Sequence, residues 1–300
     1  MRLSLALVLL LPSLAAAQPT AEQKKETVKW VLAQEAPGGG FYVAPQPPDV
    51  DAPPRPSLRA TSAAVRSLKY LGADIPNKDK HAAFVLKCFD PKTGAFAEPG
   101  GQPDVTITSV GVMAAVELGI PKEKFAKAMD YLKENAKTFE EVRIGAAAAE
   151  AWGVKDCPFD VDGWLTVGKL LAPKPDLSNL KDGAARDLGS AAALLLRLEG
   201  KLGQQERKSL GEMLQEGQRE DGGWGKKGEK ASDAETTYRV MRALMLLKEK
   251  PKDVKKLREF IAAHRNKDGG YATKPGEASS MSGVYYCTVI TKWLNEMEKK

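Results

Sequence analysis

A short turn motif, two small residues followed by an aromatic residue, recurs four times along the chain. Its copies are Gly39-Gly40-Phe41, Gly94-Ala95-Phe96, Gly222-Gly223-Trp224 and Gly269-Gly270-Tyr271. Glycine reaches positive φ without steric strain, and an aromatic ring fills a large gap between packed elements. Because the motif recurs within one chain, the sequence predicts a repeat protein built from similar supersecondary units.

The segments between the turns have the composition of helices. Segments 206–214 and 253–264 are charged on one face, whereas segments 144–152 and 188–198 are nearly free of polar residues. A helix that is apolar on all sides is buried on all sides. The sequence therefore predicts that each unit pairs an outer amphipathic helix with an inner, Ala-rich one. With 43% hydrophobic residues among 300, the chain is long and apolar enough to form a large core.

Recurring glycines mark the predicted ends of the inner helices. They are Gly72, Gly119, Gly153 and Gly200. Glycine at this place is typical of a helix C-cap in the left-handed conformation. Leu247 and Trp293 stand at the equivalent places in the last two units, so the sequence predicts six helical hairpins. The third and fourth hairpins lack the Gly-Gly-aromatic turn.

The first seventeen residues have the features of a secretory signal peptide. Arg2 is followed by the apolar run 3–11, and Ala15-Ala16-Ala17 provides an Ala-x-Ala cleavage site. No segment reaches the roughly 20 apolar residues of a membrane-spanning helix. Residues 18–300 are therefore expected to form one exported domain that is secreted or periplasmic and not transmembrane.

The charge distribution argues against a nucleic-acid partner, and the cysteine spacing argues against a cysteine metal site. The formal net charge is only +6, and the lysines between 248 and 256 alternate with acidic residues, so we expect no nucleic-acid partner. The three cysteines are Cys88, Cys157 and Cys287. None of them has the CxxC spacing of a metal site. One disulfide is possible if the protein is exported to an oxidising compartment, but the sequence does not specify which cysteines would pair.

The fifth turn carries the strongest family resemblance. Gln218-x-x-x-Gly222-x-Trp224 resembles the QW signature of squalene cyclases and of protein prenyltransferase β subunits, and weaker copies end at Phe96 and Tyr271. The segment 269–276 resembles the final turn of protein geranylgeranyltransferase type II β subunits. The resemblance spans nearly the whole mature chain. It implies an all-α fold, a closed α/α toroid of about six hairpins with inner and outer helix rings.

The resemblance also implies where a zinc site for prenyl transfer would lie. Family members hold zinc through an Asp-x-Cys pair after the fifth turn and a His after the sixth. In this chain the pair is Asp233 and Glu235, and Gly283 stands at the His position. Carboxylates without thiolate or imidazole make a poor zinc site, so we expect no metal cofactor. Alternatively, Asp233 and Glu235 cap the helix that begins at Thr236.

An anion site is implied by the same alignment. The diphosphate-binding cations of the family's fifth turn fall on Lys227 and Lys230, and Arg186 stands where the family has a diphosphate-binding His. The alternative is that both lysines are solvated loop residues. No adjacent Asp pair occurs in the chain, so the Asp-x-Asp-Asp acid of squalene cyclases is absent.

A proline-rich insertion follows the first turn, with six prolines in residues 45–57. Such a segment favours extended, polyproline-like backbone. If the loops of all repeats share one rim, the insertion lies at the mouth of the central cavity. It is then a lid, a docking segment for a protein partner, or a passive insertion.

These observations leave three functional hypotheses. The first is an exported toroid whose apolar central cavity binds an isoprenoid-like or other apolar ligand, without zinc-dependent prenyl transfer. The second is an active prenyltransferase-like transferase that uses another route, with Asp233 and Glu235 as metal or acid–base groups. The third is a non-catalytic protein-interaction scaffold whose centre is filled by its own side chains.

Overall fold

The computed structural model describes residues 18–45 and 55–299. This part of the chain forms twelve α-helices joined by turns and loops. They are α1 (Ala21–Leu32), α2 (Leu58–Leu71), α3 (Lys78–Lys87), α4 (Val105–Glu117), α5 (Lys127–Asn135), α6 (Phe139–Trp152), α7 (Asp162–Leu171), α8 (Ala185–Arg197), α9 (Gln204–Glu216), α10 (Ala234–Leu247), α11 (Val254–Ala263) and α12 (Met281–Glu298). Two short 3-10 helices, Lys122–Lys124 and Val154–Asp156, and one π-helical turn, Leu180–Ala184, complete the helical structure described.

The even-numbered helices form a closed inner ring. Each packs against the next, from α2 through α4, α6, α8 and α10 to α12, and α12 packs back against α2. The odd-numbered helices lie outside this ring, each against the inner helices beside it. Because every outer helix reverses the chain direction, the six inner helices run parallel. The predicted all-α toroid of six hairpins is confirmed.

The recurring turns require glycine for two reasons, because the backbone φ is positive and because a neighbouring backbone leaves no room for a Cβ atom. Gly222 has a φ of +90°, and a Cβ there would lie 2.2 Å from the Lys256 carbonyl oxygen of α11. Gly269 has a φ of +89°, and its Cβ would lie 2.9 Å from the Glu26 carbonyl oxygen of α1. The last turn therefore packs on the first helix of the chain, which closes the outer ring.

The aromatic residue of each turn is anchored to the core. Phe41, Phe96, Trp224 and Tyr271 are buried. The Trp224 backbone N–H donates to Thr237 Oγ1 of α10 at 3.0 Å, and its indole Nε1 donates to the Leu214 carbonyl of α9 at 2.8 Å. The backbone N–H groups of Phe41 and Phe96 donate to Thr61 and Thr108 in the same way. Each of these three turns is thus tied to its own inner helix.

The Gln218 side chain links the fifth turn to the next outer helix. Its Nε2 donates to the carbonyls of Gly222 and Asp253, and its Oε1 accepts from the Asp253 backbone N–H at 2.7 Å. Asp253 is the N-cap of α11. This one amide therefore fixes the start of α11 relative to the turn.

Left-handed glycines end α2 and α4 as predicted, with a φ of +73° at Gly72 and +69° at Gly119. Gly153 is the C-cap of α6 with a φ of +103°, although its ψ of 109° lies outside the left-handed helical region. The prediction is wrong at Gly200, because Glu199 adopts the left-handed conformation there, with a φ of +58°. Helix α8 ends at Arg197, so the chain turns one residue before the glycine. In the fifth unit Lys248, with a φ of +66°, takes the same role.

Most of the proline-rich insertion and all of residues 1–17 lie outside the described residues. Within the described part, no helix combines the length and apolar character that crossing a membrane requires. Cys88, Cys157 and Cys287 are free thiols, and Cys88 and Cys287 are buried.

We predict that Trp224→Ala destabilises the fold by about 3–5 kcal/mol, because it leaves a large core cavity and an unpaired Leu214 carbonyl. Urea unfolding followed by circular dichroism measures the loss. The control is Leu170→Ala in α7, where the side chain is 80% exposed and the expected change is within about 0.5 kcal/mol. Equal losses in the two variants would contradict the anchoring role of Trp224.

Candidate functional site

The six inner helices enclose a central cavity of about 540 Å³. This volume lies in the range of small-molecule binding sites. Small inner-helix residues such as Ala63, Ala147 and Ala151 line it and leave the space open. The cavity is therefore not filled by the protein's own side chains.

One wall of the cavity is apolar. It is an apolar strip that consists of Val110, Met113 and Val116 on α4 and Ile144 and Ala147 on α6, and both helices also contribute charged residues beside it. The remaining wall is not apolar, because six arginines, one lysine and four glutamates also line the cavity. The expectation of an apolar cavity is thus corrected to a cavity with one apolar and one charged, aromatic side. Periodicity identified the inner helices, but it did not indicate which of their few charged residues face the centre.

The N-terminal charge cluster consists of Glu140 and Arg143 on α6 and Glu235 and Arg239 on α10. Arg239 donates to Glu140 at 2.9 Å and to Glu235 at 2.8 Å, and Arg143 pairs with Glu140 at 2.9 Å. Burial raises the pKa of Glu140, but the two arginines outweigh burial and hold it below its usual value. Every carboxylate of this cluster is therefore matched by cations.

The C-terminal charge cluster consists of Glu150 on α6, Arg197 on α8 and Arg242 on α10. Both guanidinium groups contact the single Glu150 carboxylate, Arg197 through Nε at 3.2 Å. The Arg197 side chain is only 4% exposed. Burial and the neighbouring charge of Arg197 lower the pKa of Arg242, because Glu150 offsets them only in part. One buried and one half-buried cation share one anion here.

A cluster of aromatic residues completes the charged wall. The Tyr238 ring stacks on Trp293 at 5.5 Å and packs against Tyr285 and Tyr286. The Tyr285 hydroxyl lies 3.4 Å from the Tyr238 hydroxyl and donates to it. Arg66 of α2 lies over the Tyr285 ring, 4.8 Å from its centroid. These rings present both π faces and hydroxyl groups to the cavity.

Tyr238 has an unusual electrostatic environment. Burial raises the pKa of its hydroxyl, but three positive charges outweigh burial and lower the pKa to about 7. They belong to Arg197, Arg66 and Arg242. The neighbouring Tyr285 behaves oppositely, since burial raises its pKa well above the usual value. When one of these two tyrosines loses its proton, the negative charge therefore lies on Tyr238 rather than on Tyr285.

The residues predicted to bind an anion lie elsewhere. Lys227 and Lys230 are exposed in the loop before α10. Arg186 is on α8, with its Nη1 3.5 Å from Asp187. None of the three is among the described residues that line the cavity. The anion site at these positions stays a prediction.

The two predicted metal-site positions have separate roles. Asp233 is the N-cap of α10, and its carboxylate accepts from the Thr236 backbone N–H and hydroxyl, both at 2.8 Å. The capping alternative is confirmed for Asp233, although α10 begins at Ala234 rather than Thr236. Glu235 instead forms ion pairs with Arg239 and Lys226. Two carboxylates that are already engaged do not fit a zinc ion.

Across the described residues, no group of three or more His, Cys, Asp or Glu side chains is arranged to hold a metal ion. The absence of a metal cofactor stays a prediction. Sequence reasoning missed Arg66, Glu150, Arg197 and Arg242 as cavity residues. The sequence feature that could have identified them is a charged residue within a helix that is predicted to be buried.

We predict that one tyrosine ionises near pH 7 in the folded protein, because three arginines stabilise the Tyr238 phenolate. A near-ultraviolet absorbance titration measures the tyrosinate, and Tyr238→Phe should remove this first phase. Tyr131→Phe in α5 is the matched control and should retain the phase, since burial raises the pKa of Tyr131. A titration without a phase below about pH 9 would contradict the prediction.

Comparison with known proteins identifies the fold. Residues 4–153 and 182–299 match the family model described as the prenyltransferase alpha-alpha toroid domain. No curated protein sequence matches the chain significantly.

Solved structures share this fold at low sequence identity. Protein geranylgeranyltransferase-I of Candida albicans, complexed with GGPP, is 12% identical with a TM-score of 0.59, over 80% of this chain and 84% of that chain. The type II terpene cyclase MstE from Scytonema is 11% identical with a TM-score of 0.60, over 93% and 98%. A glycosidase variant is 12% identical with a TM-score of 0.56, over 92% and 96%. Together with the family match, the closed ring of six hairpins shows that the chain belongs to the prenyltransferase alpha-alpha toroid family.

Proposed function

We propose that this chain is an exported protein that binds an isoprenoid-like amphiphile, an apolar chain with an anionic head, in its central cavity. The observation that carries the proposal is the division of the cavity wall. Val110, Met113 and Val116 of α4 and Ile144 and Ala147 of α6 form an apolar strip. Charged side chains and tyrosine rings, mainly from α2, α6, α8, α10 and α12, line the rest of the cavity.

The apolar wall suits a prenyl chain. Val110, Met113, Val116 and Ile144 lie on consecutive turns of two neighbouring helices and form a continuous apolar surface. The rings of Tyr238, Tyr285 and Tyr286 offer π faces for packing against unsaturated carbon. Burying apolar area at these surfaces supplies about 25 cal/mol per Å².

Structures of the same fold lend support through their bound molecules. The Candida albicans enzyme was solved with GGPP, and a variant of MstE was solved with geranylgeranyl dihydroxybenzoate as its substrate. Both molecules join a geranylgeranyl chain to a polar head. At about 10% identity, similarity to these structures shows only a shared fold. The ligand class proposed here therefore depends on the residues that line this cavity.

The alternatives receive less support. Zinc-dependent prenyl transfer lacks a matching ligand set, because Asp233 caps α10 and Glu235 is paired with arginine and lysine. A scaffold that fills its own centre does not match an open cavity of about 540 Å³. Ligand binding is the function that uses this space.

We predict that the mature chain binds geranylgeranyl diphosphate and that Ala147→Phe weakens binding by about tenfold or more, since the new ring occupies the cavity beside the apolar wall. Isothermal titration calorimetry measures the affinity. Ala83→Phe on the exposed face of α3 is the matched control and should leave the affinity unchanged. Absence of binding by the wild-type chain would refute the proposed ligand class.

The position of the anionic head is tested by the double variant Lys227→Ala/Lys230→Ala. Both lysines are exposed and outside the cavity wall, so a head group held by cavity arginines leaves the affinity of this variant unchanged. A loss of about tenfold would instead place the head at the loop before α10.

A further inference from the structure

The charges on the aromatic side of the cavity are unbalanced. Arg66 donates to Met113 Sδ and the Tyr70 hydroxyl, and no carboxylate contacts it among the described residues. Arg197 and Arg242 share the single carboxylate of Glu150. Three guanidinium groups thus have one acidic partner. In the N-terminal charge cluster, by contrast, two carboxylates face two arginines.

Such an imbalance is unfavourable in a folded protein. A buried cation without a full partner loses hydration that nothing replaces. The Nε of Arg242 is buried and makes no hydrogen bond. The Arg197 side chain is only 4% exposed, and its Nε lies 3.2 Å from the Glu150 carboxylate. These groups retain donors that an oxyanion would satisfy, because guanidinium groups bind phosphate and sulfate oxygens through several N–H donors at once.

The three arginines surround one volume. Arg66 and Arg242 are each the ninth residue of their helices, α2 and α10, and Arg197 is the last residue of α8. All three line the cavity together with Tyr238. Arg66 lies over the Tyr285 ring and Arg242 over the Trp293 ring, and Tyr238 packs against both of these rings.

We propose that Arg66, Arg197, Arg242 and the Tyr238 hydroxyl form an oxyanion subsite for a sulfate, phosphate or diphosphate group, and that anion binding is coupled to protonation of Tyr238. The subsite rests on the proposed function in one respect, because its anion is taken to be the head group of the isoprenoid-like ligand. It assigns the head to the cavity rather than to Lys227 and Lys230.

The coupling follows from competition between two anions. Without ligand, the three arginines favour the Tyr238 phenolate, which acts as their internal counter-ion. A bound oxyanion takes over this role, so the phenolate oxygen takes one proton from solvent and becomes an O–H donor to the ligand. The proton leaves a hydronium ion or a protonated buffer molecule, whose bond to it breaks as the phenol O–H bond forms, and no other covalent bond changes.

The charged and titratable groups on this side of the cavity come from five inner helices. Arg66 belongs to α2, Glu150 to α6, Arg197 to α8 and Arg242 to α10, while α12 contributes Tyr285, Tyr286 and Trp293. Glu150 is the one carboxylate in this set, and it is paired with Arg197 and Arg242.

The subsite is tested first with inorganic pyrophosphate and sulfate by isothermal titration calorimetry. Arg66→Met should weaken binding of both anions by about tenfold or more, because a charged donor is lost. It leaves no carboxylate unpaired, and Arg66→Lys should restore part of the affinity. Lys87→Met, on the exposed face of α3 and outside the cavity wall, is the control and should leave both affinities unchanged. Equal affinities in Arg66→Met and wild type would overturn the subsite.

The coupling is tested with sulfate, whose charge is constant near neutral pH. At about pH 8, binding should take up close to one proton, measured in two buffers with different ionisation enthalpies. The affinity should fall by up to about tenfold per pH unit above about pH 7. Tyr238→Phe should abolish both the proton uptake and this slope. Proton uptake that persists in folded Tyr238→Phe would overturn the coupling.

The two proposals fail in different ways. If pyrophosphate binds and geranylgeranyl diphosphate binds no better, the oxyanion subsite stands and the isoprenoid ligand is wrong. If geranylgeranyl diphosphate binds equally well to wild type, Arg66→Met and Tyr238→Phe, the ligand class stands and the subsite is wrong. If neither inorganic anion binds to the wild-type chain, the subsite is overturned.

Discussion

The close approach of each Gly-Gly-aromatic turn to the backbone of the following outer helix holds the architecture together. At Gly222 and Gly269 any side chain would collide with a carbonyl of α11 or α1, so only glycine allows successive hairpins to pack at this distance. The aromatic ring then fills the space beneath the turn, as Trp224 does between α9 and α10. The turn at Gly269 extends the same contact to α1, and the chain therefore closes into a ring.

Closure determines what the inner helices can do. Six parallel helices in a ring direct one face of each toward a common centre, and their small residues leave a cavity there. Residues far apart in sequence then meet across it, as Arg239 and Glu140 do between α10 and α6. The N-terminal charge cluster joins helices that are not adjacent in the ring. It stabilises the wall while the apolar side of α4 and α6 remains available to a ligand.

The electrostatic difference between the two charge clusters connects the fold to the proposed function. In the N-terminal cluster the carboxylates and cations satisfy each other. In the C-terminal cluster Glu150 serves two arginines, and Arg66 adds a third positive charge nearby. These three positive charges lower the pKa of Tyr238. A site that favours an internal phenolate also favours an external oxyanion, for the same Coulombic reason.

The sequence by itself determined the helical hairpins, their number and the identity of the turn residues, because glycine conformation, aromatic packing and helix periodicity are local properties. One of its two alternatives for Asp233 and Glu235, helix capping, is correct for Asp233, because a cap depends only on the next three residues. Only the tertiary structure decided the character of the cavity. Arg66, Glu150, Arg197 and Arg242 lie in four different helices, and their convergence depends on ring closure and on the rotation of each helix about its axis. Neither property is encoded in the spacing of residues within a single helix, so pattern alone predicted an apolar centre where the structure places a charged and aromatic wall.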